Sequence, residues 1–215
     1  PPDAPPAGRR ALAAVADVSV AEQMERAVAA TVNRFGRLDI VFANAGINGM
    51  IAPVEDLTPE EWDQTLDVNL KGTFLTVKYS VPHLKRAGGG AIVICSSVNG
   101  TRQFSLCGRS AYATSKAGQL AFGQMIALEL ARWKIRVNVI CPGSVQTAID
   151  QRTWRRNAEK VNIPVEYPKG MQLLSQTPTR PEQIARLVLF LCGDAADHIT
   201  GTPVWIDGGE SLLIG

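Results

Sequence analysis

AIVIC at residues 91–95 is the stretch that decides the fold of this chain. It is a short apolar run of mostly β-branched residues that follows three glycines and ends in two serines. A run of this kind, bounded by turn residues, is typical of a strand buried on both faces of a parallel sheet. LDIVFA at 38–43, IRVNVIC at 135–141 and PVWID at 203–207 have the same character, so we expect them to be strands of one sheet.

Helical stretches separate these runs. Thr58-Pro-Glu-Glu61 has capping-box spacing, as do residues 19–22 and 179–182, and glycines at 36 and 88–90 are suited to end helices. Alternating strands and helices predict an α/β fold with a Rossmann-like, doubly wound parallel sheet and helices on both faces. We expect a single domain over residues 1–215, with a proline-rich irregular start at 1–10.

The segment at residues 148–178 has no clear periodicity and is long for a plain connection, which indicates a substrate loop or lid. Trp154 or Tyr167 is expected to help cover the substrate. Arg152, Arg155 and Arg156 are expected on the exposed side, although such a cluster also suits an acidic substrate.

Composition narrows the choice of partner. The net charge is only +2, without blocks of like charge, which argues against nucleic acid. The longest apolar run, residues 187–192, is too short to span a bilayer. Four scattered cysteines and two histidines lack metal-ligand spacing. We therefore expect a cytoplasmic protein that binds a small molecule and neither a membrane nor a metal.

Tyr112 and Lys116 are four residues apart in a helical stretch, so they share one helical face. An ammonium beside a phenol stabilises the phenolate, which makes the pair suitable for acid–base chemistry. Taken alone the spacing is common, and a solvated pair is the alternative. Ser96-Ser97, Asn44-Ala45-Gly46 and Pro142-Gly143 each follow a predicted strand, and parallel strands end at one ligand-binding edge.

These motifs give the chain, from Asp17 to its C-terminal end, a resemblance to the classical short-chain dehydrogenase/reductase family. The matching pieces occur in the family's order: Asp17-Val18, Asn44-Ala45-Gly46, Asn69 within residues 67–72, Ser96-Ser97, Tyr112 with Lys116, residues 142–147, and residues 199–209.

The resemblance implies an enzyme that moves hydride between NAD or NADP and an alcohol or carbonyl substrate. It implies that Tyr112 exchanges a proton with the substrate oxygen and that Lys116 assists Tyr112 and binds the nicotinamide ribose. Ser97 would hydrogen-bond the substrate oxygen, with Ser96 as the near alternative. Asn69 would hold a water that relays protons towards Lys116.

The resemblance also implies a set of cofactor contacts, namely Asp17, Val18, Asn44, Ala45, Gly46, Tyr112, Lys116, Pro142, Gly143, Val145 and Thr147. Three of the family positions have structural alternatives. Asn69 is also suited to kink its helix, and Thr147 and Asp17 are also suited to cap helices.

The family's first two strands and its glycine-rich, pyrophosphate-binding turn have no counterpart in these 215 residues. Residues 11–16 resemble the family's third strand. Without the first two strands, this strand would lack a neighbour in the sheet. We expect a truncated form of a longer enzyme, which would bind NAD(P) weakly or not at all. The alternative is a catalytically silent binding or structural protein that has lost dinucleotide binding.

Two other enzyme classes fit less well. An epimerase or dehydratase with the same Tyr and Lys would need a second substrate domain, which this chain lacks. A serine hydrolase would need a G-x-S-x-G turn, which the sequence does not contain.

The family also implies a homodimer or homotetramer formed by the helical stretches at 58–86 and 112–132. Apolar residues on more than one side of the second stretch agree with this.

Overall fold

The computed structural model describes residues 11–161, 174 and 177–214. The strands are β1 (Ile40–Ala43), β2 (Gly49–Ile51), β3 (Gly90–Cys95), β4 (Ile135–Pro142), β5 (Thr153–Arg155) and β6 (Pro203–Ile206). The α-helices are α1 (Ala21–Phe35), α2 (Pro59–Leu66), α3 (Gly72–Ala87), α4 (Ser110–Leu130), α5 (Pro181–Cys192) and α6 (Glu210–Ile214). A π-helical segment, Asp67–Lys71, joins α2 to α3, and short 3-10 helices include Val54–Asp56, Ala148–Arg152 and Ala158–Val161.

Four parallel strands form the main sheet in the order β1-β3-β4-β6. Each coincides with one of the apolar runs, so the four predicted strands are confirmed within one or two residues at their ends. Because all four strands run the same way, their carboxyl ends lie along one edge of the sheet.

Helices cover both faces of this sheet, as predicted. Ile92 and Ile94 of β3 belong to a buried cluster with side chains of α3 and α4. Val93, which points to the opposite face, packs with Ile184 and Leu191 of α5. Full burial of one such side chain contributes about 1.5–3 kcal/mol, which explains why the central strands are apolar on both sides.

The capping box at the start of α2 is confirmed. Thr58 Oγ1 accepts from the Glu61 amide at 3.3 Å, and the Thr58 amide donates to a Glu61 carboxylate oxygen at 3.1 Å. The other two predicted boxes are wrong. Ser19 donates its hydroxyl to Asp17, while α1 begins at Ala21, and α5 begins one residue after Arg180.

Residues 11–16 were expected to resemble a strand, and this prediction is wrong. They have no regular secondary structure and are largely exposed. A strand requires a neighbour for its backbone N–H and C=O groups, and in the described part of the chain the sheet ends at β1. Ile40 and Phe42 on that edge strand are 49% and 38% exposed.

A small two-stranded sheet that the sequence did not predict joins β2 and β5 in parallel. Its second strand, β5, lies within the expected substrate loop, which is therefore partly ordered between residues 148 and 161. The proline-rich start at 1–10 and Tyr167 lie outside the described residues. The single domain over residues 1–215 and the lid role stay predictions.

Among the described residues no helix combines the length and the apolar character needed to cross a bilayer.

Gly123→Val should lower the free energy of unfolding by about 2 kcal/mol, because α4 packs directly on the sheet at this position. A Cβ atom at Gly123 would lie 2.4 Å from Val139 Cγ2 and 3.3 Å from Ile94 Cδ1. Urea denaturation measures the change. Gln124→Val is the matched control, since it adds the same side chain to the exposed neighbouring position. Equal losses in both variants would contradict this packing.

Candidate active site

A cavity of about 670 Å³ opens at the carboxyl ends of β1, β3 and β4. Its volume is in the range usual for small-molecule sites. The lining includes residues that follow each of these strands, in particular Asn44, Gly46, Ser96, Ser97, Pro142 and Gly143. The prediction that three strand ends contribute to one site is therefore confirmed.

Tyr112 and Lys116 reach this cavity from the first two turns of α4. Both are buried, at 8% and 4% exposure, which excludes the solvated pair. Lys116 Nζ donates to the Cys95 carbonyl oxygen at 3.0 Å and lies 5.6 Å from the centre of the Tyr112 ring. The end of β3 thus holds the ammonium group close to the phenol.

Ser96 and Ser97 have different hydrogen bonds. Ser96 Oγ donates to the Lys116 carbonyl oxygen at 2.7 Å, so its hydroxyl hydrogen is used inside the fold. Ser97 Oγ accepts from the Asn99 amide at 3.1 Å, which occupies a lone pair and leaves the hydrogen available to a ligand. Geometry therefore favours Ser97 over Ser96 as the substrate contact.

Asn69 is fully buried in the π-helical segment and does not line the cavity. Its Oδ1 accepts from the Ile47 amide at 2.8 Å, and its Nδ2 donates to the Ile47 carbonyl at 3.0 Å and to Ser115 Oγ at 2.9 Å. Ser115 Oγ in turn donates to the Tyr112 carbonyl at 2.7 Å. Both amide hydrogens are used, so Asn69 links the segment after Gly46 to the helix that carries Tyr112.

Two glycines that line the cavity allow close packing of backbone on side chains. A Cβ atom at Gly46 would lie 3.2 Å from Asn69 Oδ1 and 3.5 Å from Lys116 Nζ. At Gly143 it would lie 2.8 Å from the Cβ atom of Asp207. Glycine at these two positions therefore lets the backbone that lines the cavity pack directly on neighbouring side chains.

The expected cofactor contacts fall into two groups. Most of them line the cavity, namely Asn44, Ala45, Gly46, Tyr112, Lys116, Pro142, Gly143, Val145 and Thr147. Thr147 also caps the following 3-10 helix by accepting from the Ile149 amide at 3.4 Å.

Asp17 and Val18 form the second group, and neither lines the cavity. The Asp17 carboxylate accepts from the Ser19 hydroxyl at 2.7 Å and from the Ser19 amide at 2.9 Å, and these bonds lower the pKa of the Asp17 carboxyl. Val18 packs on Gly72, where an added Cβ atom would lie 2.7 Å from Val18 Cγ2. In this structure Asp17 and Val18 shape the turn before α1.

Several lining residues were not predicted. Asn48, Asn99, Gln103, Leu106, Arg109 and Glu210 also line the cavity, and Glu210 lies near Gly143. Their spacing from the recognised motifs gives a signal that would have found three of them. Asn48 follows Gly46 by two residues, Asn99 follows Ser97 by two, and Arg109 precedes Tyr112 by three.

Arg156 anchors the segment after Thr147 to the body of the protein. Its guanidinium donates to the Asp56 carbonyl at 2.7 Å and pairs with the Glu61 carboxylate. Hydrogen bonds from the Thr58 amide and from Arg156 lower the pKa of Glu61. The expectation that Arg156 lies on the exposed side of the loop is wrong, because Asp56 and Glu61 hold it half-buried against α2. Trp154 is 42% exposed and does not line the cavity.

Comparisons with known proteins agree with this geometry. A family model described as Enoyl-(Acyl carrier protein) reductase matches residues 4–211. The chain is 36% identical to "Dehydrogenase/reductase SDR family member 4" of Oryctolagus cuniculus over 91% of this chain and 72% of that protein.

Two solved structures are also similar. A 3-ketoacyl-ACP reductase from Sinorhizobium meliloti 1021 is 52% identical, with a TM-score of 0.91 over 96% of this chain and 82% of that one. A 3-ketoacyl-(acyl-carrier-protein) reductase from Brucella melitensis, solved with NADH, is 29% identical, with a TM-score of 0.81 over 95% of this chain and 80% of that one. From the matched motifs, the parallel sheet and these likenesses, the chain belongs to the short-chain dehydrogenase/reductase family of NAD(P)-dependent oxidoreductases.

Proposed function

We propose that this chain interconverts a carbonyl compound and its alcohol, with Tyr112 as the general acid in reduction and the general base in oxidation. The observation that carries the proposal is the meeting of Tyr112, Lys116 and Ser97 on one cavity. Their burial excludes bulk water from the reacting groups, which strengthens electrostatic contacts between them.

The three side chains divide the work. Ser97 donates its hydroxyl hydrogen to the substrate oxygen and so orients the carbonyl towards the phenol. Tyr112 gives its proton to that oxygen as the alcohol forms. Lys116 stabilises the phenolate that remains, because its ammonium group is held beside the ring by the Cys95 carbonyl.

A nicotinamide cofactor supplies or accepts the hydride in this chemistry. The residues proposed for its nicotinamide half all line the cavity, with Lys116 for the ribose and Val145 and Thr147 for the carboxamide. Asn69 is a positioning residue, since it joins the backbone after Gly46 to α4 through Ile47 and Ser115. The expectation that these 215 residues bind NAD(P) weakly or not at all stays a prediction.

We propose that the substrate is a small carbonyl or alcohol compound and that the protein works in the cytoplasm. The two solved structures named above are 3-ketoacyl-ACP reductases, which supports an oxo substrate. All four cysteines are free thiols, which is usual in a reducing compartment. The alternative, a catalytically silent binding protein, has no support in these comparisons.

We also propose that the chain forms a dimer or tetramer through α3 and α4. Phe74, Met125 and Leu128 on these helices are 44%, 71% and 81% exposed, although all three are apolar. Phe74 packs edge-to-face on Phe122, which gives the surface a defined shape. A second copy of the chain is the partner that suits this surface, because one self-complementary patch is enough for a twofold dimer.

Tyr112→Phe should reduce turnover by roughly 10²- to 10⁴-fold and leave the fold intact, because the change removes the proton donor and little volume. Absorbance of NAD(P)H measures turnover, and circular dichroism measures the fold. Tyr79→Phe removes the same hydroxyl at a half-buried position of α3 and is the matched control. Near-normal turnover in Tyr112→Phe would exclude the mechanism.

Lys116→Ala should lower both the cofactor affinity and the rate, since Lys116 is proposed to bind the ribose and to assist Tyr112. Fluorescence titration with NADH and NADPH measures affinity, and single-turnover kinetics measures the rate. Lys78→Ala, at an exposed position of α3, controls for loss of a lysine. A slower rate with unchanged affinity would remove the ribose contact from the proposal.

Leu128→Glu should convert the oligomer to smaller species, because a carboxylate is costly to bury in an apolar interface. Light scattering at working concentration measures the mass. Val54→Glu is the matched control at a position that is 73% exposed and lies outside α3 and α4. A wild-type chain that is already monomeric would contradict the interface.

A further inference from the structure

Asn48 lies on a rigid stretch of backbone at the edge of the cavity. The preceding residue, Ile47, donates its N–H to Asn69 at 2.8 Å and accepts from Asn69 at its carbonyl at 3.0 Å. The following residue, Gly49, has a φ of 70°, and a Cβ atom there would clash with Thr65 Oγ1 of α2. Only glycine permits this approach, because it tolerates positive φ and adds no side chain. The backbone of Asn48 is therefore fixed on both sides.

The side-chain amide of Asn48 has a defined orientation. Its Nδ2 donates to Thr153 Oγ1 at 2.7 Å, and Thr153 Oγ1 donates its own hydrogen to the Ile149 carbonyl at 3.2 Å. Because the hydroxyl hydrogen is used on Ile149, Thr153 must accept from Asn48, which assigns the nitrogen to the Thr153 side. The Oδ1 atom of Asn48 therefore points away from Thr153.

This Oδ1 atom is an acceptor without a donor. Asn48 is 7% exposed and lines the cavity, and within the described part of the chain its side chain bonds only to Thr153. The oxygen is not among the fully enclosed polar atoms that lack a partner, so it keeps surface that a ligand can reach. Polar atoms on buried residues are nearly always paired. The structure thus offers a ligand one fixed acceptor at this wall of the cavity.

Asn48 is also close to the groups that are proposed to react. A Cβ atom at Gly46 would lie 3.5 Å from Lys116 Nζ, and Asn48 follows Gly46 by two residues. Consecutive Cα atoms are about 3.8 Å apart, so the Cα atoms of Gly46 and Asn48 are at most about 7.6 Å apart. Ser97 and Tyr112 line the same cavity. A ligand with its carbonyl at Ser97 and Tyr112 needs only a few further bonds to reach Asn48.

The chemistry of the acceptor indicates the donor. A carboxylate has no hydrogen to donate to an amide oxygen. An ammonium group would lose hydration that one neutral oxygen only partly replaces. A hydroxyl group donates one hydrogen and brings no charge, so it matches Asn48.

We propose that Asn48 determines specificity and that the substrates are hydroxylated carbonyl compounds and the matching diols, with the hydroxyl group donating to Asn48 Oδ1. This inference rests on the proposed function, since it places the carbonyl at Tyr112 and Ser97. In reduction, hydride from NAD(P)H adds to the carbonyl carbon, the C=O π bond breaks, and Tyr112 protonates the oxygen. NAD(P)H becomes NAD(P)⁺, the phenol regains a proton from solvent, and the second hydroxyl group is unchanged.

The test uses two pairs of ketones in which a methyl group replaces the hydroxyl group. These are hydroxyacetone with butanone, and 4-hydroxy-2-butanone with 2-pentanone, and NAD(P)H absorbance measures their reduction. The expected result is a kcat/KM about tenfold or more higher for the hydroxylated member of at least one pair, because the methyl analogue leaves the acceptor unpaired. A neighbouring hydroxyl also makes a carbonyl more electrophilic, so the decisive quantity is the change in this ratio between wild type and variants.

Asn48→Leu should lower the hydroxyl-to-methyl ratio by about tenfold, because leucine has a similar size and no acceptor. Asn48→Asp keeps an oxygen acceptor and should retain most of the ratio. Thr153→Val removes the bond that orients the amide and should lower the ratio less than Asn48→Leu does. Asn33→Leu, on the exposed surface of α1, is the matched control and should leave the ratio unchanged.

A second readout does not depend on turnover or on the folding of a variant. In NMR titrations of the wild-type chain, hydroxyacetone should shift the side-chain amide signal of Asn48 and butanone should not. Equal shifts with both ketones would overturn the hydrogen bond.

The outcomes separate this inference from the function on which it rests. A hydroxyl-to-methyl ratio that Asn48→Leu does not alter overturns the role of Asn48 and leaves the carbonyl chemistry in place. A higher KM for NAD(P)H in Asn48→Leu with an unchanged ratio assigns the oxygen to the cofactor and also overturns the inference. Failure to reduce any member of a panel of hydroxy ketones, ketones and aldehydes overturns the proposed function and this inference together.

Discussion

A reciprocal pair of hydrogen bonds between Lys116 and the end of β3 is the constraint on which the site depends. The Lys116 side chain donates to the Cys95 carbonyl, and the Lys116 carbonyl accepts from the Ser96 hydroxyl. The two bonds run in opposite directions between one residue of α4 and two consecutive residues of the strand end. They fix both the position and the rotation of α4, and therefore the side on which Tyr112 emerges.

A second buried connection completes the frame. Asn69 joins the backbone after β1 to Ser115, and Ser115 joins Tyr112. The segments that carry Ile47 and Asn69 are distant from α4 in the sequence. Both are thus joined to α4 through the side chains of Asn69 and Ser115, which have almost no exposed surface. Removing any one partner would leave a buried polar group unpaired, which costs about 1–3 kcal/mol and loosens the geometry of the site.

The sequence was sufficient for the parts that depend on local chemistry. AIVIC and its three companion runs predicted the main sheet because parallel strands covered by helices are rich in apolar residues. Helical spacing pointed to Tyr112 and Lys116 and the strand end pointed to Ser96-Ser97, while the roles of Tyr112, Lys116 and Ser97 came from the family resemblance. The pairing of β2 with β5 and the role of Arg156 depend on contacts between distant segments, which periodicity does not encode. Residues 11–16 looked like a strand but have no strand to pair with among the described residues, which composition alone does not reveal.

The double use of Glu61 has a consequence for how the protein unfolds. One carboxylate caps the first turn of α2 through Thr58 and also binds Arg156 at the end of the β2–β5 sheet. Because the two contacts share one side chain, loss of the Arg156 contact also weakens the support of that helix end, and fraying of the helix end weakens the hold on the segment after Thr153. The end of the β2–β5 sheet and the start of α2 are therefore energetically coupled, although 95 residues separate Glu61 from Arg156 along the chain.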